Sequence, residues 1–192
     1  DARAFKKGAT LAKVLAFVAR LRRDGCQVPI VLFSYFNPIL SMGLEAFADR
    51  CAAADVDGVL VVDLPAEESR RLGGALRQRR IEPVMLASPT TSDQRLKVIA
   101  RASGSIVYYV SREGVTGARK GLGPGLAARL RKVRALMGKP LIVGFGIATR
   151  AQARGLSAHA DGIVVGSALV AQVARAVSTP AALRQIACVA RR

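Results

Sequence analysis

Six short apolar runs alternate with amphipathic stretches along the chain, and this alternation limits the possible folds more than any other feature. None of the runs shows the two-residue periodicity of a half-exposed antiparallel strand. Runs that are apolar throughout, each followed by a helical stretch, indicate a parallel sheet covered by helices. The predicted strands are Pro29–Tyr35, Gly58–Asp63, Pro83–Ser88, Ser105–Ser111, Pro140–Gly146 and Gly162–Ala168.

The stretches between these runs have helical spacing. In the first of them, Leu11, Val14, Leu15 and Val18 recur at intervals of three and four residues, and Thr10 is suited to cap the helix. The predicted helices are Leu11–Asp24, a segment around Leu44–Ala54, Ala66–Arg79, Asp93–Ala102, Leu126–Leu136, Thr149–Leu156, Ala168–Val177 and a terminal helix after Pro180.

Small and polar residues lie at or just beyond the carboxyl end of every predicted strand, which favours a closed barrel over an open doubly wound sheet. Barrel active sites collect residues from many strand ends, whereas an open sheet binds ligands at one switch point. The residues concerned are Tyr35, Asn37, Asp63, Ser88, Ser111, Gly146 and Ser167. We therefore predict an α/β chain of the TIM (βα)8 barrel class, a single domain over residues 1–192 that supplies six of the eight βα units.

Three consecutive strands end in glycine-containing segments, and together they predict an anion site. Ser105–Arg119 carries Gly114 and Gly117, Pro140–Gly146 ends in Gly-Phe-Gly, and Gly162–Ala168 contains Gly-Ser. Glycine lets the backbone N–H groups approach a ligand, and a helix that starts just afterwards adds its positive dipole end. Because barrels hold phosphate on the loops after their late strands, a phosphate is the expected anion. Neither a Walker-type sequence nor a dinucleotide fingerprint is present.

Composition further limits the classes of partner and of site that the chain could have. The net charge of +17 raises nucleic acid as a partner, but Arg is spread over successive helices and no aromatic residues are interleaved with the basic runs. The cysteines Cys26, Cys51 and Cys188 have no metal-ligand or redox spacing, and His159 is the only histidine. We expect a cytoplasmic protein without a metal, a cofactor, nucleic-acid binding or a membrane span.

Four residues have both a functional and a structural interpretation. Asp63, the one carboxylate that ends a buried strand, is either an acid–base or orienting group or a hydrogen-bonded bridge, for example to the hydroxyl of Ser88 or Ser111. Tyr108 either contacts a ligand or fills the core. Phe145, between two glycines, is better suited to wall a ligand than to pack in the core. Thr116 either offers its hydroxyl to the ligand or caps the turn.

Five stretches resemble the tryptophan synthase alpha subunit family in order and spacing, over a region that extends from about Arg3 to Val170. They are Leu32–Ile39 (LFSYFNPI), Asp57–Glu68 (DGVLVVDLPAEE), Tyr108–Arg119 (YYVSREGVTGAR), Val143–Ile147 (VGFGI) and Asp161–Val170 (DGIVVGSALV). The resemblance implies a TIM barrel that cleaves indole-3-glycerol phosphate to indole and glyceraldehyde 3-phosphate by a retro-aldol reaction without cofactor. It also implies an alpha2-beta2 complex with a beta subunit.

The resemblance implies a role for each matching position. Gly117, Gly146, Gly166 and Ser167 would hold the substrate phosphate, and Tyr108 and Thr116 would contact the glycerol phosphate. The indole pocket would be lined by Phe33, Tyr35, Leu60, Leu86 and Phe145. The region Arg112–Gly121 would close over the substrate, and the loop after Pro29–Tyr35 together with the Leu64-Pro65 turn would face the beta subunit.

The sequence departs from the family pattern at its start. The family uses a Glu at the end of the second strand and an Asp in the loop that follows, and Arg3–Thr10 already matches the segment after that loop. We therefore expect the first two strands and both catalytic carboxylates to lie upstream of residue 1, with Asp63 as a possible supporting acid. The alternatives are another phosphate-binding barrel lyase or isomerase, and a non-catalytic partner of a beta subunit.

Overall fold

A computed structural model describes residues 8–110, 125–144, 147, 149–166 and 168–171. The chain divides into two compact units, Asp1–Leu86 with Lys97–Val107, and Ala87–Leu96 with Tyr108–Arg192. The prediction of a single domain stays a prediction.

The first unit is built from strands that alternate with helices, and it begins where the periodicity predicts. Thr10 caps the first helix because its side chain accepts the N–H of Lys13, and Leu15 and Val18 form the buried stripe of that helix. In chain order the elements are α1 (Leu11–Arg23), β1 (Val31–Ser34), α2 (Phe36–Met42), α3 (Leu44–Ala53), β2 (Gly58–Val61), α4 (Arg70–Gln78) and β3 (Glu82–Ala87), whose last residue belongs to the second unit.

The alternation continues through the second unit. Helix α7 begins with a capping box, in which Thr149 and Gln152 each accept a backbone N–H from the other. The elements are α5 (Asp93–Ala102), β4 (Val107–Val110), α6 (Leu126–Met137), β5 (Leu141–Gly144), α7 (Arg150–Ser157) and β6 (Gly162–Ile163). Both α5 and β4 cross the division between the units.

The strands pair in parallel in both units, as the uniformly apolar runs predict. In the first unit β2 lies between β1 and β3, and Leu60 pairs with Phe33 on one side and with Val84 on the other. In the second unit β5 pairs with β6 through Ile142 and Gly162. The main hydrophobic core of the first unit lies between the sheet and its helices, and its strand residues are Leu32, Val59 and Val61.

Three elements differ most from the sequence-based predictions. No helix is predicted between the strand Pro29–Tyr35 and the segment around Leu44–Ala54, but Phe36–Met42 form one, α2. Helix α4 starts at Arg70 rather than Ala66, because residues 66–69 form turns after Pro65. Strand β6 is confined to Gly162–Ile163, which is shorter than the apolar run that predicted it. The predicted terminal helix lies outside the described residues.

A carboxylate fastens the amino end of one strand pair in each unit. In the first unit Asp57 Oδ2 accepts the N–H of Ile30 at 2.6 Å and lies 2.5 Å from Arg22 Nη2. In the second unit Asp161 accepts the N–H of Leu141 at 2.9 Å and a donor of Arg134 at 2.5 Å. Each aspartate directly precedes a strand and binds the start of the neighbouring strand, so both contacts hold the parallel register.

In the first unit, Asp57 together with Arg22 and the Ile30 N–H forms a clamp at the start of β1 and β2. The Arg22 guanidinium of this clamp has further hydrogen-bond acceptors. Arg22 is mostly buried, with a side chain 12% exposed, and it donates to the carbonyls of Asp55, Cys26 and Val28 as well. Charge-assisted hydrogen bonds of this kind are roughly twice as strong as neutral ones. Loss of Asp57 would leave the Ile30 N–H without its acceptor and would remove from Arg22 the carboxylate at 2.5 Å.

We predict that Asp57→Ala lowers the free energy of unfolding by about 2 kcal/mol, because a mostly buried cation and the N–H of Ile30, just before β1, lose their shared acceptor. Chemical denaturation monitored by circular dichroism measures the change. The matched control is Asp55→Ala, since Asp55 lies 3.4 Å from Arg22 Nε but is 83% exposed, and that variant should change stability by less than about 0.5 kcal/mol. Equal effects of the two substitutions would contradict the clamp.

The two cysteines of the first unit predict a second measurable difference. Cys51 is fully buried, and burial raises the pKa of its thiol to about 12, so that roughly one part in 10⁴ is thiolate at pH 8. Cys26 is only partly buried. In a Cys188→Ser chain, we expect Ellman's reagent to label Cys26 in the native state about 100-fold faster than Cys51. Comparable labelling rates of Cys51 and Cys26 would contradict the burial of Cys51 in the native first unit.

Candidate functional site

Asp63 caps a helix that belongs to the preceding βα unit. Its Oδ1 accepts the N–H of Phe36, the first residue of α2, at 2.7 Å. Tyr35 occupies the N-cap position of that helix and makes no side-chain hydrogen bond there. The bridge expected of Asp63 therefore exists, but it runs to Phe36 rather than to the hydroxyl of Ser88, which lies against Thr90 and Thr91. The exposed carboxylate orients the loop at the carboxyl ends of β1 and β2.

Three of the residues predicted to line an apolar pocket lie on one face of the sheet. Phe33 pairs with Leu60, Leu60 pairs with Val84, and Leu86 follows Val84 by two residues. Because side chains alternate along a strand, this face is the one opposite to the face that packs against the helices. Leu60 is fully buried, Leu86 is half-buried and Phe33 is 52% exposed. Tyr35, just beyond β1, is 64% exposed.

Tyr108 lies in β4 and is packed directly against β5. It is 8% exposed, and burial raises the pKa of its phenol. A Cβ placed on Gly144 would overlap the Tyr108 hydroxyl oxygen and come 2.6 Å from its Cζ. Gly144 is therefore required because the phenol occupies the volume that any larger side chain would need. This contact, and not a dinucleotide site, explains the first glycine of Gly-Phe-Gly.

Of the residues expected to hold the substrate phosphate, only Gly166 lies in the described part of the chain. It follows β6, and its carbonyl accepts the N–H of Val170 at 3.0 Å, which closes the first helical turn after the strand. A Cβ on Gly166 would meet nothing within 4 Å. Gly166 thus lies between the end of β6 and the start of a helix, and its role in holding a phosphate stays a prediction. The predicted site residues Thr116, Gly117, Phe145, Gly146 and Ser167 lie outside the described residues.

A charged cluster that the sequence analysis did not single out joins α5 to α6. Asp93, the first residue of α5, lies 2.6 Å from Lys132 Nζ and 3.3 Å from Arg129 Nη1. The hydrogen bond from Lys132, followed by that from Arg129, holds the pKa of the Asp93 carboxyl below its usual range. The signal in the sequence was weak, because Arg129 and Lys132 are spaced to share a helix face but sit in an arginine-rich helix.

Two features are absent from the ranges that the structure describes. Within them, no group of three or more His, Cys, Asp or Glu side chains is placed to hold a metal ion. None of their helices combines the length and the apolar character needed to cross a membrane.

Comparison with known proteins gives a consistent result. The family model described as "Tryptophan synthase alpha chain" matches residues 1–191. The tryptophan synthase alpha chain of Geobacter sp. (strain M21) is 49% identical over 88% of this chain and 62% of its own length. That of Geobacter sulfurreducens is 46% identical over 88% of this chain and 63% of its own length. The chain thus spans somewhat less than two thirds of these curated relatives.

Solved structures show the same similarity in three dimensions. A chain from the tryptophan synthase a2b2 complex of Pyrococcus furiosus superposes with a TM-score of 0.84 at 38% identity, covering 90% of this chain and 70% of that chain. A mutant tryptophan synthase alpha-subunit from the same organism gives a TM-score of 0.81 at 37% identity, with 90% and 69% coverage. The predicted barrel class is confirmed, with six of its strands among the described residues.

Because Tyr108 packs on Gly144, one added methyl group should lower the free energy of unfolding at Gly144 much more than at Gly166. Gly144→Ala should lower the free energy of unfolding by about 2 kcal/mol, because the new Cβ overlaps the phenol. Gly166→Ala is the matched control and should change it by less than about 0.5 kcal/mol. Adding Tyr108→Ala to Gly144→Ala should recover about 1 kcal/mol relative to the sum of the single changes. Additive denaturation free energies would contradict the contact.

Proposed function

Because the chain belongs to the tryptophan synthase alpha chain family, a family of lyases, we propose that it binds indole-3-glycerol phosphate in the manner of that family. The observation that carries the proposal is the register that aligns Phe33, Leu60 and Leu86 on one face of the sheet. An apolar face with polar groups at its rim suits a flat aromatic ring with a polar tail.

Each part of the ligand has a proposed partner. The indole ring lies against the face formed by Phe33, Leu60 and Leu86, with Tyr35 at its edge and Phe145 as a further wall. The glycerol phosphate contacts Tyr108 and Thr116. The phosphate is held through the backbone at Gly117, Gly146, Gly166 and Ser167. Gly166 supports this proposal, because it lies between a strand end and a helix start, where backbone N–H groups are available to an anion.

The cleavage step needs more than this binding site. In the retro-aldol reaction the bond between indole C3 and the glycerol carbon breaks, one group takes a proton from the substrate hydroxyl, and another protonates the indole ring. Each general acid or base contributes about 10²–10⁴-fold to the rate. Asp63 is one carboxylate, and its hydrogen bond to Phe36 suits an orienting role. We propose that these 192 residues bind the substrate but do not cleave it without the family's Glu and Asp.

A tryptophan synthase beta subunit is the proposed protein partner. Exposed apolar side chains follow β1 and β2 along the chain, with Tyr35 at 64%, Leu40 at 51% and Val62 at 38% exposure. A structure similar to this chain comes from an a2b2 complex of Pyrococcus furiosus. The same exposed side chains favour the alternative of a non-catalytic partner of the beta subunit, as does Asp63 as the one carboxylate that ends a predicted strand. A cytoplasmic location stays a prediction.

Two measurements on the purified chain test the proposal. We expect calorimetry to detect binding of indole-3-glycerol phosphate, and we expect indole release at least about 10²-fold slower than from a complete alpha chain. Both assays are repeated with a beta subunit, and a complete Geobacter alpha chain is the positive control. Absence of binding with and without the beta subunit would contradict the proposed function. Release at the rate of the complete chain would instead contradict the requirement for the additional carboxylates.

A further inference from the structure

Arg129 connects two segments of the second unit that are far apart in sequence. Its Nη2 donates to the carbonyl of Thr91 at 2.5 Å, and its Nη1 lies 3.3 Å from Asp93 Oδ1. Arg129 sits in the first turn of α6, where its own N–H donates to the carbonyl of Gly125. The guanidinium thus binds the beginning of α6 to the residues that lead into α5.

The segment that Arg129 holds is a turn at the carboxyl end of β3, residues 88–92. Its backbone is closed by its own hydroxyls and amides. Ser88 N–H donates to Thr91 Oγ1 at 2.9 Å, Thr91 N–H donates to the Ser88 carbonyl at 3.0 Å, and the hydroxyls of Ser88 and Thr90 are 3.0 Å apart. These bonds fix the shape of the turn, whereas the bond from Arg129 fixes its position relative to α6.

Two observations separate this contact from an ordinary surface ion pair. The Arg129 side chain is only 23% exposed, and its Nε is buried with no acceptor in the described part of the chain. A guanidinium this far buried needs fixed acceptors, and its two terminal nitrogens have them in the Thr91 carbonyl and the Asp93 carboxylate. In addition, Asp93 does not depend on Arg129 for its charge balance, because Lys132 Nζ lies 2.6 Å from its other oxygen.

The position of the contact relates it to ligand binding. Helix α6 follows residues 111–124, which include Thr116 and Gly117, and the turn follows the strand that carries Leu86. Active-site groups of barrel enzymes are presented from loops at the carboxyl ends of the strands. The link therefore joins two segments that each adjoin, along the chain, residues of the proposed binding site.

We propose that Arg129 is a positioning residue for the phosphate-bearing ligand, which it affects by holding the 88–92 turn to the start of α6 without contacting the ligand. This inference rests on the proposed function for the identity of the ligand. The contact between Arg129 and the turn does not depend on the proposed function. Amide exchange in the turn and affinity for the ligand are therefore measured separately.

The test compares Arg129→Met with Arg131→Met. Both remove one positive charge from α6, but Arg131 is exposed to solvent. In the first measurement, hydrogen exchange of the Ser88 and Thr91 amides should accelerate about tenfold in Arg129→Met and remain unchanged in Arg131→Met. Exchange that is unchanged in Arg129→Met would overturn the proposal, whether or not the chain binds a ligand.

In the second measurement, calorimetry with glycerol 3-phosphate should show a Kd about tenfold higher for Arg129→Met and less than about twofold higher for Arg131→Met. Arg129→Lys should restore part of the affinity, because one ammonium can reach the Thr91 carbonyl but lacks the planar fork of the guanidinium. Equal losses of affinity in Arg129→Met and Arg131→Met would show that only the net charge matters. That result would overturn the positioning role. If the unsubstituted chain bound neither glycerol 3-phosphate nor indole-3-glycerol phosphate, the proposed function and this ligand role would both fail, while the exchange measurement would still decide the contact.

Discussion

Parallel pairing of β1, β2 and β3 is the constraint on which the rest of the first unit depends. The register that places Leu60 between Phe33 and Val84 also places Leu32 beside Val59. Side chains alternate along each strand, so one set forms the core under the helices and the other set faces away from them. A slip of one residue would exchange the two sets. The clamp from Asp57 to Ile30 and Arg22 acts at the amino end of this pairing, where it opposes such a slip.

The carboxyl ends of the strands are organised by a different set of contacts. Asp63 caps α2 from the neighbouring βα unit, Gly144 leaves space for the Tyr108 phenol, and Arg129 holds the turn after β3. Each contact joins segments that are separated by 27 or more residues. In barrel enzymes the amino ends of the strands serve stability and the carboxyl ends serve binding.

Much of the fold was predictable because its signals are local. The spacing of Leu11, Val14, Leu15 and Val18 predicts α1, whose buried residues are Leu15 and Val18, and the bounds of α5 coincide with the predicted Asp93–Ala102. The sequence-based predictions of elements were wrong where a contact with a distant residue overrides the local conformational preference of the chain. Helix α2 was missed because its N-terminus is capped by Asp63, 27 residues further along the chain. Apolar character alone also could not show that β6 ends at Ile163.

The sequence by itself determined the βα alternation, the parallel class of the sheet and the family, because each depends on the order and spacing of residues along the chain. It also indicated which residue types stand at the strand ends. The tertiary structure alone decided what those residues do there. Asp63 accepts a backbone N–H of α2, and Arg129 donates to a carbonyl of the turn after β3. Gly144 has no side chain and so leaves space for the Tyr108 phenol. Such roles depend on distances between residues far apart in the chain, and no local pattern encodes them.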